Sequence, residues 1–305
     1  MNKYDMVIAG GGPAGLTAAT YASRAKLSVL VAEKLAPGGQ VLLTERIENY
    51  PGFESIPGYE LAEKMEHQAR GFGAEIVTET VSAARKDGSR VLVTTETREI
   101  EAGCMIAATG TEPRVLGVPG EKELRGKGVS YCATCDGPFF AGKKIAVLGG
   151  GNSAVEEGIY LTKFAEQVFL IHRRDKLRAV RLLQERALAN KKIAFLWDSV
   201  LEEVEGNNSV SQVRLKNLKT GERTELKVDG VFIYAGMLPR GDFLPESVRK
   251  DEAGYIVTDD KMETSEKGIF AAGDVRQKLV RQIATAVGDG TMAAVAAGKY
   301  LEEET

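Results

Sequence analysis

Met6-Val7-Ile8-Ala9-Gly10-Gly11-Gly12-Pro13-Ala14-Gly15 is the stretch on which the fold turns. Four apolar residues make a buried β run, three glycines make a tight turn, and the residues from Ala14 to Arg24 favour a helix. Each fingerprint position has a mechanical task. Gly10 permits the turn, Gly12 lets backbone amides approach a pyrophosphate, and Gly15 allows close helix–strand packing. Pro13 and Ala14 start the helix, whose N-terminus presents partial positive charge to phosphates. A second β run, Val29 to Ala32, ends at Glu33 and completes a βαβ dinucleotide unit.

The pattern returns 139 positions later. Ile145-Ala146-Val147-Leu148 leads into Gly149-Gly150-Gly151-Asn152-Ser153-Ala154, a helix follows from Ala154 to Leu161, and the β run Val168 to Ile171 ends at His172. A single glycine turn is weak evidence, but two copies in the same strand–turn–helix context are not. The fold class is therefore α/β, with two Rossmann-like dinucleotide-binding domains. Pro/Gly clusters at 110–120 and 234–241 follow apolar β runs and mark the crossovers. The tail after Gly241, with Ile269 to Asp274 and an Ala-rich helix from Thr285 to Leu301, is too short to fold alone. It is expected to return to the first domain. The expected division is 1–114 and 241–305 for the first domain and 115–240 for an inserted second one.

At 305 residues, two domains are the natural expectation. With 43% hydrophobic and 27% charged residues, the composition is that of a soluble globular protein. A net charge of −3 and one short basic cluster at 172–178 argue against a nucleic-acid surface. No signal-peptide pattern or bilayer-length apolar run is visible, so no membrane association and a cytoplasmic location are expected.

The residue closing the second strand separates the two copies. Glu33 stands 23 positions after Gly10, and His172 stands 23 after Gly149. A carboxylate there accepts hydrogen bonds from an unmodified ribose diol and repels a 2′-phosphate. Arg173 and Arg174 do the reverse, as planar charged donors suited to phosphate. The first site should hold a nucleotide with a free 2′-hydroxyl, such as FAD or NAD, and the second should prefer NADPH.

Between the copies lies Cys132-Ala133-Thr134-Cys135, followed by Asp136. A CxxC at the start of a helical turn lowers one thiol's pKa and can close a short disulfide. Asp136 is placed to carry the proton that thiol exchange requires. An inert structural disulfide and half a zinc site are the bland alternatives. Zinc is the weaker one, because only Cys104, His67 and His172 remain as ligands, in unrelated segments, and no metal site is expected. Cys104 reads as a small buried hydrophobe and His67 as a surface residue.

Taken together, these residues resemble the low-molecular-weight thioredoxin reductases along essentially the whole chain. The similarity is carried by the first glycine fingerprint, Gly38-Gly39-Gln40, Glu48-Asn49-Tyr50-Pro51-Gly52 and Ala108-Thr109-Gly110. It continues in Cys132-Ala133-Thr134-Cys135-Asp136, His172-Arg173-Arg174-Asp175, Gly273-Asp274-Val275 and Arg281-Gln282-Ile283. The resemblance implies FAD in the first site, held by the fingerprint with Glu33, Gly39, Gln40, Asn49, Thr109, Gly110, Gly273, Asp274, Val275, Arg281, Gln282 and Ile283. It implies NADPH in the second, held by Gly149, Gly151, Asn152, Ser153, Ala154, His172, Arg173, Arg174 and Arg178. Cys135 would lie nearer the flavin, Cys132 would attack thioredoxin, and Asp136 would be the acid–base residue. A homodimer is implied as well.

Lys176-Leu177 and Met237-Leu238-Pro239-Arg240 depart from the commoner forms of the family and bear on nucleotide affinity. Electrons would pass from NADPH through FAD to the disulfide and then to oxidised thioredoxin. The cysteines, the nicotinamide and a protein partner cannot all be served by one static arrangement, so rotation about 113–119 and 236–241 is expected. Rival readings are a reductase of another disulfide protein, a ferredoxin–NADP-type flavoenzyme that leaves the CxxC unexplained, and a nucleotide-binding redox sensor.

Overall fold

The structure is a computed structural model that describes residues 2–44 and 46–304. The chain begins with strand β1 (Asn2–Ala9), helix α1 (Pro13–Arg24) and strand β2 (Val29–Glu33). Helix α2 (Gly58–Gly71) and strands β3 (Glu75–Thr78), β4 (Val81–Asp87), β5 (Arg90–Thr95) and β6 (Glu99–Ala107) follow. Strand β1 is parallel to both β2 and β6. Its side chains alternate, so Met6 and Ile8 enter one core layer while Val7 and Ala9 enter the other. All four are fully buried. Burial on both faces explains why the run is continuously apolar and not alternating.

After β7 (Thr111–Pro113) the chain enters a second compact unit, residues 113–237. Its elements are β8 (Val129–Ser130), α3 (Ala133–Asp136), β9 (Lys144–Leu148), α4 (Asn152–Leu161), β10 (Gln167–Ile171), α5 (Arg181–Leu188) and β11 (Ile193–Leu196). An antiparallel meander, β12 (Ser199–Glu205), β13 (Gln212–Asn217) and β14 (Arg223–Lys227), precedes β15 (Gly230–Ile233). The parallel sheet runs β11-β10-β9-β15-β8. Ile145 and Val147 face helices α4 and α5, whereas Ala146 and Leu148 face the meander through Leu201, Val204, Val213 and Leu215. Each such buried Val, Leu or Ile side chain contributes about 1.5–3 kcal/mol.

The chain returns through β16 (Met237–Pro239), which pairs with β7. Residues 238–305 rejoin residues 1–112 as one unit. Strand β17 (Ile269–Ala271) adds to the first sheet beside β6, and helix α6 (Ile283–Glu303) packs on α1. The packing is close because the residues are small. A Cβ on Gly290 of α6 would stand 2.2 Å from the Ala14 carbonyl oxygen. No helix among the described residues is long and apolar enough to cross a membrane.

Candidate active site

The first glycine turn forms as its spacing predicts. Gly10 has φ +104°, and a Cβ there would stand 2.4 Å from the Ala108 carbonyl oxygen. Gly12 precedes α1, no side chain caps the helix, and the space a Gly12 Cβ would enter is open. The Gly11 amide donates to Glu33 Oε2 (2.7 Å) and the Leu35 amide to Oε1 (3.2 Å), which fixes the carboxylate beside the turn. The Gly38 amide donates to the Gly11 carbonyl (2.7 Å), and a Cβ on Gly39 would stand 3.2 Å from the Gly12 Cα.

The remaining residues expected around the first nucleotide converge on the same unit. Asn49 Nδ2 donates to Gln282 Oε1 (2.9 Å), joining two segments 233 residues apart. Gln40 Nε2 donates to the Thr111 carbonyl and the Thr109 hydroxyl to the Arg240 carbonyl, while Gly110 takes φ +64°. Gly273 has φ +78° and packs on Ala14. Val275 is fully buried and Ile283 packs with Val41 and Ile47, so both support the site through backbone and core. Arg281 stacks on Tyr255 at 3.8 Å and donates to the carbonyls of Asp274 and Arg276, both 3.3 Å.

Asp274 is the informative residue of this group. Its Oδ1 is buried and has no hydrogen-bond partner in the protein. Burial pushes its carboxyl above the usual range, opposed by Lys278 and Arg281. A buried acceptor left open is costly unless something binds it. An open glycine cradle, an uncapped helix, a fixed carboxylate and an orphaned Asp274 oxygen together fit a dinucleotide.

The second turn repeats the backbone but not the surroundings. Gly149 has φ +139°, Gly151 precedes α4, and again no side chain caps the helix. The Arg178 and Ala179 amides donate to the Gly150 carbonyl (2.6 and 3.1 Å), arching the loop after β10 back onto the turn. Arg173, Arg174 and Arg178 are exposed on that loop. None of their guanidinium groups makes an ion pair among the described residues, so their donors are available to a phosphate. Asn152 Oδ1 accepts from the Val180 amide (2.8 Å) and clasps the same loop. Ser153 is exposed at the helix start and Ala154 is buried behind it.

His172 is only 4% exposed, and a Cβ on Gly150 would stand 2.5 Å from its ring. The ring forms the floor of the turn. Its Nε2 has no hydrogen-bond partner. Burial lowers its pKa, aided by Arg178, Arg174 and Arg173, so the ring is held neutral.

Cys132 and Cys135 form a disulfide, with Cys132 at the N-cap of α3. Cys132 Sγ accepts from the Cys135 amide (3.1 Å), and the Cys132 amide donates to Ser130 Oγ (3.0 Å). Cys135 is exposed and Cys132 half-buried. Asp136 shares the turn and lines a cavity of about 280 Å³ with Ser130, Phe139, Phe140, Lys143 and Asp229. Cys104 is fully buried, and desolvation pushes its thiol up to about 12, which leaves it inert. His67 is exposed on α2. No group of potential metal ligands occurs among the described residues.

One buried and one nearly buried carboxylate went unread in the sequence. Glu121, 1% exposed, accepts from the Leu116 and Gly117 amides (3.0 and 2.6 Å) and from the Tyr131 hydroxyl (2.6 Å), beside Cys132. Nothing in its local pattern distinguishes it from a surface acid. Asp289 accepts from Arg276, Lys278 and the Gly273 amide. Its signal was present: it is the only charged residue between Ile283 and Gly298.

Comparison with known proteins agrees with this geometry. The pyridine nucleotide-disulphide oxidoreductase family model matches residues 4–290. The chain is 52% identical to a thioredoxin reductase of Bacillus subtilis, over 98% of this chain and 95% of that protein. It is 51% identical to one of Treponema pallidum, over 98% and 97%. The crystal structure of Lactococcus lactis thioredoxin reductase superimposes with a TM-score of 0.96 at 49% identity, covering 98% of this chain and 99% of the other. The chain belongs to the pyridine nucleotide-disulphide oxidoreductase family, among the thioredoxin reductases.

Proposed function

We propose that this protein is an NADPH-dependent thioredoxin-disulfide reductase. FAD would occupy the Gly10–Gly15 turn, in a domain of residues 1–114 and 241–305. NADPH would occupy the Gly149–Ala154 turn, in a domain of residues 115–240. The observation that carries the reading is the Cys132–Cys135 disulfide at the N-cap of α3, in the unit that also holds the arginine-flanked turn. The Asp274 oxygen and Glu33 would meet the hydroxyls of the first nucleotide, and the amides of α1 its pyrophosphate. Bound FAD would supply the two-electron relay between nicotinamide and disulfide.

The protein's own chemistry follows from the turn. Two electrons and two protons open the Cys132–Cys135 bond to a dithiol. The Cys135 amide, already directed at Cys132 Sγ, then stabilises a thiolate there. That thiolate attacks one sulfur of thioredoxin's disulfide. A mixed disulfide forms, and the other thioredoxin sulfur leaves as a thiolate. Attack by Cys135 on Cys132 Sγ re-forms the internal disulfide and releases reduced thioredoxin. Asp136, on the same turn, takes and returns the protons. Because the pair must meet both flavin and thioredoxin, the two exposures alternate in each cycle.

The three unpaired arginines favour NADPH over NADH or a ferredoxin donor. A cytoplasmic location suits a CxxC kept in redox turnover, and a homodimer follows the family. The test is Cys132→Ser. It should reduce NADPH-driven thioredoxin reduction by at least about a thousandfold, with flavin bleaching by NADPH unchanged. Retained turnover would refute the proposed nucleophile, and loss of bleaching would make the cysteines structural.

A further inference from the structure

The Gly273-Asp274 turn does not stand by itself. Asp289, on the second turn of α6, accepts from the Gly273 amide through Oδ2 (3.0 Å), from Lys278 Nζ through the same oxygen (2.8 Å) and from Arg276 through Oδ1 (3.1 Å). The three side chains are 9–13% exposed, so this is a nearly buried cluster of one anion and two cations. Arg276 is also fixed by Thr258 Oγ1 (2.9 Å), and its carbonyl accepts from Arg281. Next in sequence, Gly290 leaves room only for the backbone of Ala14, at the start of α1. Gly273 packs its own Cα against that same alanine. Asp289 therefore ties α6 to the turn that aims the orphaned Asp274 oxygen, and Gly290 and Gly273 seat both parts against Ala14 in the first turn of α1.

We infer that Asp289 is a positioning residue of the first nucleotide site, holding the Gly273-Asp274 turn in register with the amides of α1. The inference rests on the reading of that site as a flavin site and goes beyond it. Asp289 touches no part of the expected ligand. It acts through the Gly273 amide and through the cations it keeps paired. A buried pair broken from one side leaves its partner uncompensated, and Arg276 and Lys278 would then pull on the loop that carries Arg281.

The test compares FAD binding by the full-length protein and by Asp289→Asn and Asp289→Ala. It uses fluorescence titration of FAD into flavin-stripped protein, with unfolding midpoints measured with and without FAD. A nucleotide bound only by the folded state raises the midpoint by mass action, so a positioning role weakens that rise specifically. Asp289→Asn keeps an acceptor for Gly273 and should raise the FAD dissociation constant by at least about tenfold. Asp289→Ala should raise it further. Binding of 2′,5′-ADP in the second unit should not change. Equal lowering of both midpoints with an unchanged FAD constant would overturn the inference and leave Asp289 as a structural ion pair. If Asp289→Asn does not fold, the triple variant Arg276→Met, Lys278→Met, Asp289→Asn removes all three charges together. Wild-type FAD affinity in that triple overturns the inference, and weakened affinity supports it. A wild-type protein that takes up no FAD overturns both this inference and the reading beneath it.

Discussion

The two glycine turns share one backbone device and differ in what the device presents. In each, the carbonyl of the middle glycine accepts an amide from the loop that follows the second strand. Gly38 donates to Gly11 (2.7 Å), and Arg178 to Gly150 (2.6 Å). In each, the residue 23 positions after the first glycine supports the turn. Glu33 does so as a half-buried acceptor of the Gly11 amide, and His172 as a buried ring beneath Gly150. The loop returned to the first turn brings glycines and Gln40, whereas the loop returned to the second brings three exposed arginines. The βαβ scaffold thus fixes where a dinucleotide's phosphates go. On the function proposed above, the loop and the strand-closing residue would decide whether a 2′-phosphate is admitted.

The comparison breaks hardest at the third fingerprint position, which is Gly15 in one copy and Ala154 in the other. A Cβ on Gly15 would stand 1.9 Å from the Gly10 carbonyl oxygen, against backbone that cannot yield. Gly15→Ala should cost about 3 kcal/mol and give protein without bound flavin. Ala154→Gly should cost about 1 kcal/mol and spare nucleotide binding. Thermal unfolding and flavin per chain check both. Full flavin in Gly15→Ala would mean the turns differ less than their geometry indicates.

Arg173→Ala with Arg174→Ala sharpens the comparison at the second turn. Losing two charge-assisted bonds should raise KM for NADPH by about tenfold or more, with NADH kinetics little changed. Equal losses for the two nucleotides would show that the arginines support structure. At the first turn, Glu33→Gln keeps an acceptor for the Gly11 amide but loses its charge. FAD affinity should fall about threefold to tenfold. Unaltered affinity would remove Glu33 from the ribose contact.

The smallest effect concerns His172 and pH. Its pKa is lowered in the fold from an ordinary value of 6.5, so the unfolded chain binds the proton more readily. The stability from the neutral ring is therefore complete above about pH 6.5 and declines as pH falls through and below that value. His172→Gln should flatten the fall of the unfolding midpoint between roughly pH 7.5 and 5.5. The exposed His67, replaced in the same way, serves as the control. An undiminished slope in His172→Gln would place the titrating group elsewhere.

Both βαβ units were legible because glycine fingerprints and continuous apolar strands are local signals, and Gly10, Glu33, Gly149 and His172 occupy their expected places. The β12–β14 meander was not, since its strands are only partly buried and lack clean alternation. Of the site, the convergence of Asn49 with Gln282 was visible only through resemblance, because a separation of 233 residues leaves no periodic trace. Asn152 has a role its place in the fingerprint does not reveal, since its Oδ1 accepts from the Val180 amide and holds the arginine loop. Glu121 and Asp289 act through partners brought near only by folding. Nothing local marks Glu121, whereas Asp289 stands out as a lone charge in an apolar helix without revealing its partners.

Anaerobic titration of the purified protein with NADPH, read by flavin absorbance and by thiol counting, tests the whole electron path in one vessel. The protein should be yellow and should release FAD, not FMN, on heating. NADPH should bleach the flavin, and each chain should gain the two thiols of Cys132 and Cys135. A colourless protein that takes up no FAD, or bleaching without any gain of thiols, would contradict the account.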